Sequence, residues 1–122
     1  MKAYKVLSKM DNGQLRSWQI SLSQGGLIYN KDKVNKPTFK GSVLLCFKDV
    51  HQALLWRSYN FNEVWEVEIT PGKLPKCRER VDCFKDSFAQ FWKKKIRRTS
   101  YTWPRGTVGA KTVKLIKKVE KI

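Results

Sequence analysis

A strand–helix–strand unit near the middle of the chain constrains the fold more than any other segment. Residues 41–47 form a short apolar run of the kind that makes a buried strand. Asp49 follows as a helix N-cap, and residues 50–59 carry apolar side chains at helical spacing. Residues 64–69 then alternate apolar and polar side chains, which is typical of a half-buried strand. The unit predicts a helix packed against neighbouring strands.

Strand and helix patterns flank this unit on both sides. Strands are predicted at residues 4–7, at 14–22 with a short continuation at 27–29, and at 112–119. Residues 30–40 predict a surface loop, and Pro71-Gly72 predicts a turn. Asp82 is expected to cap a second helix, whose apolar face comprises Phe84, Phe88, Phe91 and Trp92. The order of elements predicts one α+β domain over residues 1–122, a mostly antiparallel sheet with two helices packed on it.

The charge of the chain is strongly basic and unevenly distributed. The sequence holds 26 Lys and Arg against 10 Asp and Glu, a formal net charge of +16. Residues 71–122 hold sixteen of the basic and four of the acidic side chains, which gives +12 for that part. A field of this sign concentrates polyanions near the protein. The second half is therefore expected to supply most of the partner-binding face.

The segment 93–106 combines six cationic side chains with two aromatic rings. Arginine forks clamp phosphates and flat rings stack on bases, so the pattern favours an anion that carries rings. Trp103 precedes Pro104 and is therefore held in an extended conformation. Arg57 lies beside Trp56 on the first predicted helix, although Arg57 is equally suited to an ion pair with Glu63. The predicted ligand-binding residues are Arg57, Trp56, Arg97, Arg98, Tyr101, Trp103 and Arg105.

The sequence offers no set of residues suited to catalysis. His51 is the only histidine and is expected on the helix surface. Glu66 and Glu68 share one face of a strand and are expected to be solvated. Cys77 and Cys83 have no second cysteine pair nearby, so a zinc site has too few ligands and the cysteines are expected to be small buried hydrophobes. We expect a protein that is not an enzyme and that uses no cofactor and no metal.

Other features bear on compartment and assembly. The longest apolar run, residues 43–47, is far too short to cross a bilayer, and residues 1–5 lead into no hydrophobic signal core. Three cysteines fit a reducing compartment. We therefore expect a cytoplasmic protein with no membrane partner. Five tryptophans and six phenylalanines exceed what one small core readily hides, which predicts a homo-oligomer.

Three features of the chain together carry a resemblance to a known family. They are Tyr-Lys-Val in the first strand (residues 4–6), the strand at 41–47 that runs into the helix at 49–57, and the basic, aromatic C-terminal third. In these the chain resembles the phage anti-Thoeris sponge family, the first type of Thoeris anti-defence protein. The resemblance implies a phage-encoded protein in the host cytoplasm that sequesters cyclic ADP-ribose-type signals, or cyclic oligonucleotides, in pockets between the subunits of a homo-oligomer.

The main hypothesis is thus that the partner is a cyclic nucleotide or a nucleotide-derived small molecule. Two other hypotheses about the function remain open. The first is a DNA- or RNA-binding protein, such as an inhibitor of a nucleic-acid-guided defence system, which the net charge favours. The second is a degenerate enzyme, because residues 47–53 are loosely similar to the strand-to-helix unit of ADP-ribosyltransferase-like folds.

Overall fold

The computed structural model describes residues 1–17, 27–38, 42–55, 62–74 and 105–119. All the strand pairings in this part of the chain are antiparallel. The elements are β1 (Lys2–Lys9), β2 (Leu15–Ser17), β3 (Ile28–Tyr29), β4 (Leu44–Phe47), α1 (Val50–Leu55), β5 (Asn62–Gly72) and β6 (Thr107–Lys118). The strand order is β3-β2-β1-β4-β6-β5, and an additional β1–β5 pairing closes β1, β4, β6 and β5 into a four-stranded barrel. Strands β2 and β3 extend the sheet beyond this ring.

The predicted α+β architecture, with two helices packed on a sheet, is wrong. The described residues build a closed barrel with extra strands and one helix of six residues. The predicted second helix at 82–92 and the end of the first at 56–59 lie outside the described residues. Alternating apolar residues require that one face of each strand is covered, but they do not specify whether helices or other strands cover it. Here the sheet covers that face by closing on itself, because β5 and β6 (11 and 12 residues) are long enough to curve.

Two β-bulges bend the β5–β6 pair. The register shifts between Glu66 and Val67 and between Thr70 and Pro71, where Ile116 and Lys111 are the extra residues on β6. A bulge increases the local twist of a strand, which helps the sheet to close. The predicted turn at Pro71-Gly72 is wrong, because both residues continue β5. Pro71 is tolerated there because a bulge does not need its missing N–H.

The core has two parts. A smaller cluster, formed by Val6, Ala53 and Val64, lies where α1 covers β1 and β5. Strand β1 contributes to both parts because successive side chains point to opposite faces of a sheet. The larger cluster comprises Ala3, Leu7, Leu15, Tyr29, Cys46, Trp65, Val67, Ile69, Ala110, Val113 and Leu115.

Helix α1 is short and begins as the sequence predicts. The Asp49 carboxylate accepts a hydrogen bond from the backbone N–H of His51 at 2.7 Å, so the predicted N-cap is confirmed. Ala53 is completely buried, whereas His51 is exposed as expected. The helix therefore serves as a cover for one side of the barrel.

Candidate functional site

An open groove of about 520 Å³ lies between the turn at residues 31–32 and the second half of β6. Four of its eight lining residues are lysines and one is acidic, so its charge is strongly positive. We call it the lysine groove. Its lining residues are Lys31, Asp32, Trp65, Lys114, Leu115, Ile116, Lys117 and Lys118.

The bulge at Ile116 decides how β6 presents its lysines. Val113 and Leu115 are buried, and strict alternation would turn Lys117 towards the core as well. The extra residue at Ile116 shifts the alternation by one position. Lys117 is consequently turned away from the core, while Lys118 lies opposite Trp65 in the register. Both lysines are exposed. The bulge thus converts the end of a core strand into a cationic edge.

Asn35 fixes the opposite wall of the lysine groove. Its backbone exchanges two hydrogen bonds with Val113 of β6, at 2.8 and 2.9 Å. Its side-chain amide donates to the carbonyl oxygens of Asn30, Lys33 and Val113 at 3.1–3.2 Å and accepts from the Asn30 N–H at 3.0 Å. Asn35 is buried, so these bonds are shielded from water. The turn that carries Lys31 is therefore held beside β6.

Trp65 lies in the lysine groove with its ring held from two directions. The indole Nε1–H donates to the Glu63 carboxylate at 3.1 Å. The Lys31 ammonium lies over the ring, 5.6 Å from its centroid, in cation–π geometry. Trp65 is only 8% exposed, whereas Lys31 is exposed. An exposed lysine therefore covers an indole of fixed orientation.

Glu63 connects Trp65 to two lysines. Its carboxylate lies 3.3 Å from the Lys118 ammonium and 3.8 Å from that of Lys9. Burial by itself raises the pKa of Glu63. The hydrogen bond from Trp65 and the charges of Lys118 and Lys9 outweigh this effect, so the pKa lies below its ordinary value of 4.5. Glu63 is therefore ionised at neutral pH and partly neutralises one end of the groove.

The other glutamates of β5 are also engaged. Glu66 lies 3.0 Å from the Lys2 ammonium, and Glu68 pairs with the amino group of Met1. Glu68 is solvated as predicted, whereas the Glu66 side chain is mostly covered. Among the described residues no carboxylate lies within ion-pair distance of Lys114 or Lys117. These two lysines are available to an external anion.

A second cluster of reactive residue types lies in the core. The Lys5 ammonium donates to the Leu45 carbonyl at 2.6 Å and lies 5.4 Å from the centroid of the Tyr29 ring. Burial raises the pKa of the Tyr29 hydroxyl and of the Cys46 thiol, so both are neutral at pH 7. Burial lowers the pKa of Lys5, but attraction to Tyr29 and Cys46 as these ionise at high pH outweighs it, so the pKa is raised and the amine is charged at pH 7. A charged amine and a neutral thiol are poor nucleophiles, so this cluster is structural.

Only one of the sequence-predicted site residues lies in the described part of the chain. Arg57, Trp56, Arg97, Arg98, Tyr101 and Trp103 fall outside it. Arg105 is exposed in the turn before β6, next to Gly106, whose φ is 83°. The backbone N–H of Lys48 donates to the Gly106 carbonyl at 2.7 Å and anchors this turn. Arg105 does not line the lysine groove.

Sequence reasoning missed the lysine groove. Its charge is visible as the cluster of lysines at 114, 117 and 118, but the pattern of this stretch predicts only the last strand. The sequence carries no signal that brings Lys31 beside it. Of the three cysteines, Cys46 is buried as predicted, while Cys77 and Cys83 lie outside the described residues.

The described part of the chain also lacks two further features. It contains no group of three or more His, Cys, Asp or Glu residues arranged to hold a metal ion. No helix within it is both long and apolar enough to cross a membrane.

Comparison with known proteins identifies no relative. No protein-family model, no curated protein and no solved structure matches this chain. The resemblance to the anti-Thoeris sponge family therefore stays a prediction.

Proposed function

We propose that the protein binds nucleic acid through the lysine groove and leaves it chemically unchanged. The observation that carries this proposal is the lining itself, four lysines and one acid around an open groove of about 520 Å³. A phosphate backbone offers a row of single negative charges, and each ammonium that neutralises one of them releases a counterion. Lys114 and Lys117, which have no carboxylate partner among the described residues, are the best placed to do this.

The shape and chemistry of the groove favour a polymer over a small nucleotide. A small-ligand site encloses most of its ligand, whereas this groove is open to solvent. Lysine is a flexible point charge that follows phosphates of variable position, whereas the rigid fork of arginine suits two-pronged capture of one phosphate in a fixed place. None of the eight lining residues is an arginine.

A second candidate function is sequestration of a cyclic nucleotide signal by a phage-encoded homo-oligomer, as the resemblance implies. The observation that favours it is the exposure of Arg105 in an anchored turn. Strands rise about 3.3 Å per residue, so roughly 30 Å of chain separates Arg105 from Lys114. The two candidate sites therefore lie at opposite ends of β6, and variants can test them separately.

The main proposal is tested by fluorescence anisotropy with labelled single-stranded and duplex DNA at physiological salt. We expect binding by the native protein and a loss of about tenfold or more in the double variant Lys114→Gln/Lys117→Gln, because two phosphate contacts are removed. The matched control is Lys48→Gln/Lys73→Gln, which removes the same charge from two exposed lysines outside the groove. Equal losses in both variants would show that net charge, and not the groove, attracts the DNA.

The second candidate is tested by isothermal titration with cyclic ADP-ribose isomers and cyclic trinucleotides. Binding that survives Lys114→Gln/Lys117→Gln but is lost in Arg105→Ala supports sequestration at the Arg105 end. Chromatography of the ligand after release distinguishes binding from turnover, because an altered ligand means that the protein is an enzyme. Absence of heat with every such ligand defeats the sequestration hypothesis.

A further inference from the structure

The indole of Trp65 is held in a fixed orientation within a groove whose other functional groups are mainly cations. Its Nε1–H is bound to Glu63, and its place in the main core cluster holds the rest of the ring. Lys31 is the cation that lies over the ring, and this lysine is itself exposed to solvent. An exposed lysine on a turn exchanges partners easily, because its stem is flexible and its ammonium is well hydrated.

We infer that the lysine groove takes a single strand of nucleic acid, and that one base stacks on Trp65 in the position that Lys31 occupies in the free protein. This inference rests on the proposed function and names the ligand class of the same site. On binding, the Lys31 ammonium moves from the indole to a phosphate of the strand. The exchange is favourable because a base has a larger flat face than an ammonium, and the ammonium gains a full negative charge as its partner.

The wall that carries Lys31 is compatible with this exchange. Asn35 holds the turn by its backbone bonds to Val113 and by its amide bonds to the carbonyls of Asn30 and Lys33. None of these bonds involves the side chain of Lys31. The lysine can therefore leave the ring while the groove keeps its shape. A duplex presents phosphates but keeps its bases stacked inside, so it uses the lysines without the indole.

The test compares three labelled probes of equal length, about 12 nucleotides, on the full chain. They are oligothymidine, an abasic strand with the same phosphates, and a duplex. We expect the native protein to prefer oligothymidine over the abasic strand by about tenfold, and to prefer it over the duplex. In the ratio of the affinities for oligothymidine and the abasic strand, the contribution of the shared phosphates cancels. The ratio therefore measures the contribution of the bases.

Variants at two neighbouring lysines locate the base. In Lys31→Ala the preference for oligothymidine over the abasic strand should increase, because nothing covers the indole. The matched control Lys33→Ala changes a lysine of the same turn that does not line the groove, and its ratio should equal that of the native protein. In Trp65→Leu the preference should disappear, because neither strand then meets a ring on which a base could stack.

A second measurement avoids any risk that Trp65→Leu misfolds. In the native protein, the indole Nε1–H signal of Trp65, assigned by comparison with Trp65→Phe, should shift on addition of oligothymidine and stay in place with the abasic strand. If all three probes bind equally and the signal does not move, the groove is purely electrostatic and the stacking inference is wrong, although the proposed function holds. If the duplex binds most tightly, the inference is also wrong. If no probe binds, the proposed function itself fails.

Discussion

Replacement of Glu63 by glutamine should change folding stability and nucleic-acid affinity in opposite directions. The amide oxygen of a glutamine at this position can still accept the hydrogen bond from Trp65, so the main loss is attraction to Lys118 at 3.3 Å and to Lys9 at 3.8 Å. These lysine side chains are 43% and 54% exposed, and solvent-screened pairs contribute about 0.2–1 kcal/mol each. We therefore expect Glu63→Gln to lower the free energy of unfolding by about 1 kcal/mol at pH 7.

The pH dependence of this loss has a definite sign. The pKa of Glu63 is lower in the folded protein than its ordinary value of 4.5, so the unfolded state binds more protons as the pH falls through this range. The stabilisation by Glu63 is fully present above pH 4.5 and is lost as the pH falls through the folded pKa. Urea unfolding of both proteins at a series of pH values from neutral downwards should show their stabilities converging below pH 4.5. Urea is preferred because it does not screen charges as guanidinium does.

Affinity for DNA should rise in the same variant. Removal of the carboxylate releases Lys118 and Lys9 from their ion pairs and takes one negative charge from the end of the lysine groove. An interaction of about 0.5–1 kcal/mol corresponds to a roughly two- to fivefold gain in affinity, measured by anisotropy at low salt. Asp49→Asn is the control, because it removes one negative charge away from the groove and keeps a good helix N-cap. The reasoning is refuted if Glu63→Gln binds DNA more weakly than the native protein while remaining folded.

Three further predictions concern the scaffold, and each is checked by urea unfolding. Gly109→Ala should cost about 1–3 kcal/mol, because the new Cβ would lie 2.7 Å from the Gly72 carbonyl oxygen; a cost near zero would contradict this close approach. Asn35→Ala should cost about 2 kcal/mol and weaken DNA binding, because the carbonyls of Asn30 and Lys33 lose the side-chain amide that holds the turn, and only the backbone bonds to Val113 remain; unchanged affinity would contradict the role of the Asn35 side chain. Asp49→Ala should cost about 1 kcal/mol through loss of the N-cap, with Asp49→Asn nearly neutral; equal losses in both would contradict the cap.

The sequence predicts the local elements of the barrel well. Strands β1 and β5, the strand before the helix, and the cap at Asp49 all follow from short-range patterns of apolar residues and capping side chains. The sequence does not predict that the sheet closes into a barrel. The β1–β5 pairing joins Ala3 to Val67, and no local pattern states which distant strand will cover a given edge. The two bulges in the β5–β6 pair are not predicted either, because a bulge is defined by which strand lies opposite.

The candidate site is hidden in the sequence because its parts are distant along the chain. Lys31 meets Trp65, and Asn35 meets Val113, only after the barrel has formed. Sequence reasoning instead favours residues 93–106, where cations and rings are adjacent along the chain. Most of that segment lies outside the described residues, so its role stays a prediction. The net charge predicts an anionic partner, but the part of the surface that binds this partner is decided by the tertiary structure.

The salt dependence of single-strand binding tests the central claim most directly. For single strands, the logarithm of the affinity falls with the logarithm of the salt concentration by about 0.7 for each neutralised phosphate. The double variant Lys114→Gln/Lys117→Gln should therefore reduce the magnitude of this slope by about 1.4, while Lys48→Gln/Lys73→Gln should leave it unchanged. A slope that the groove variant does not alter, or that both variants reduce equally, would contradict the assignment of phosphate binding to the lysine groove.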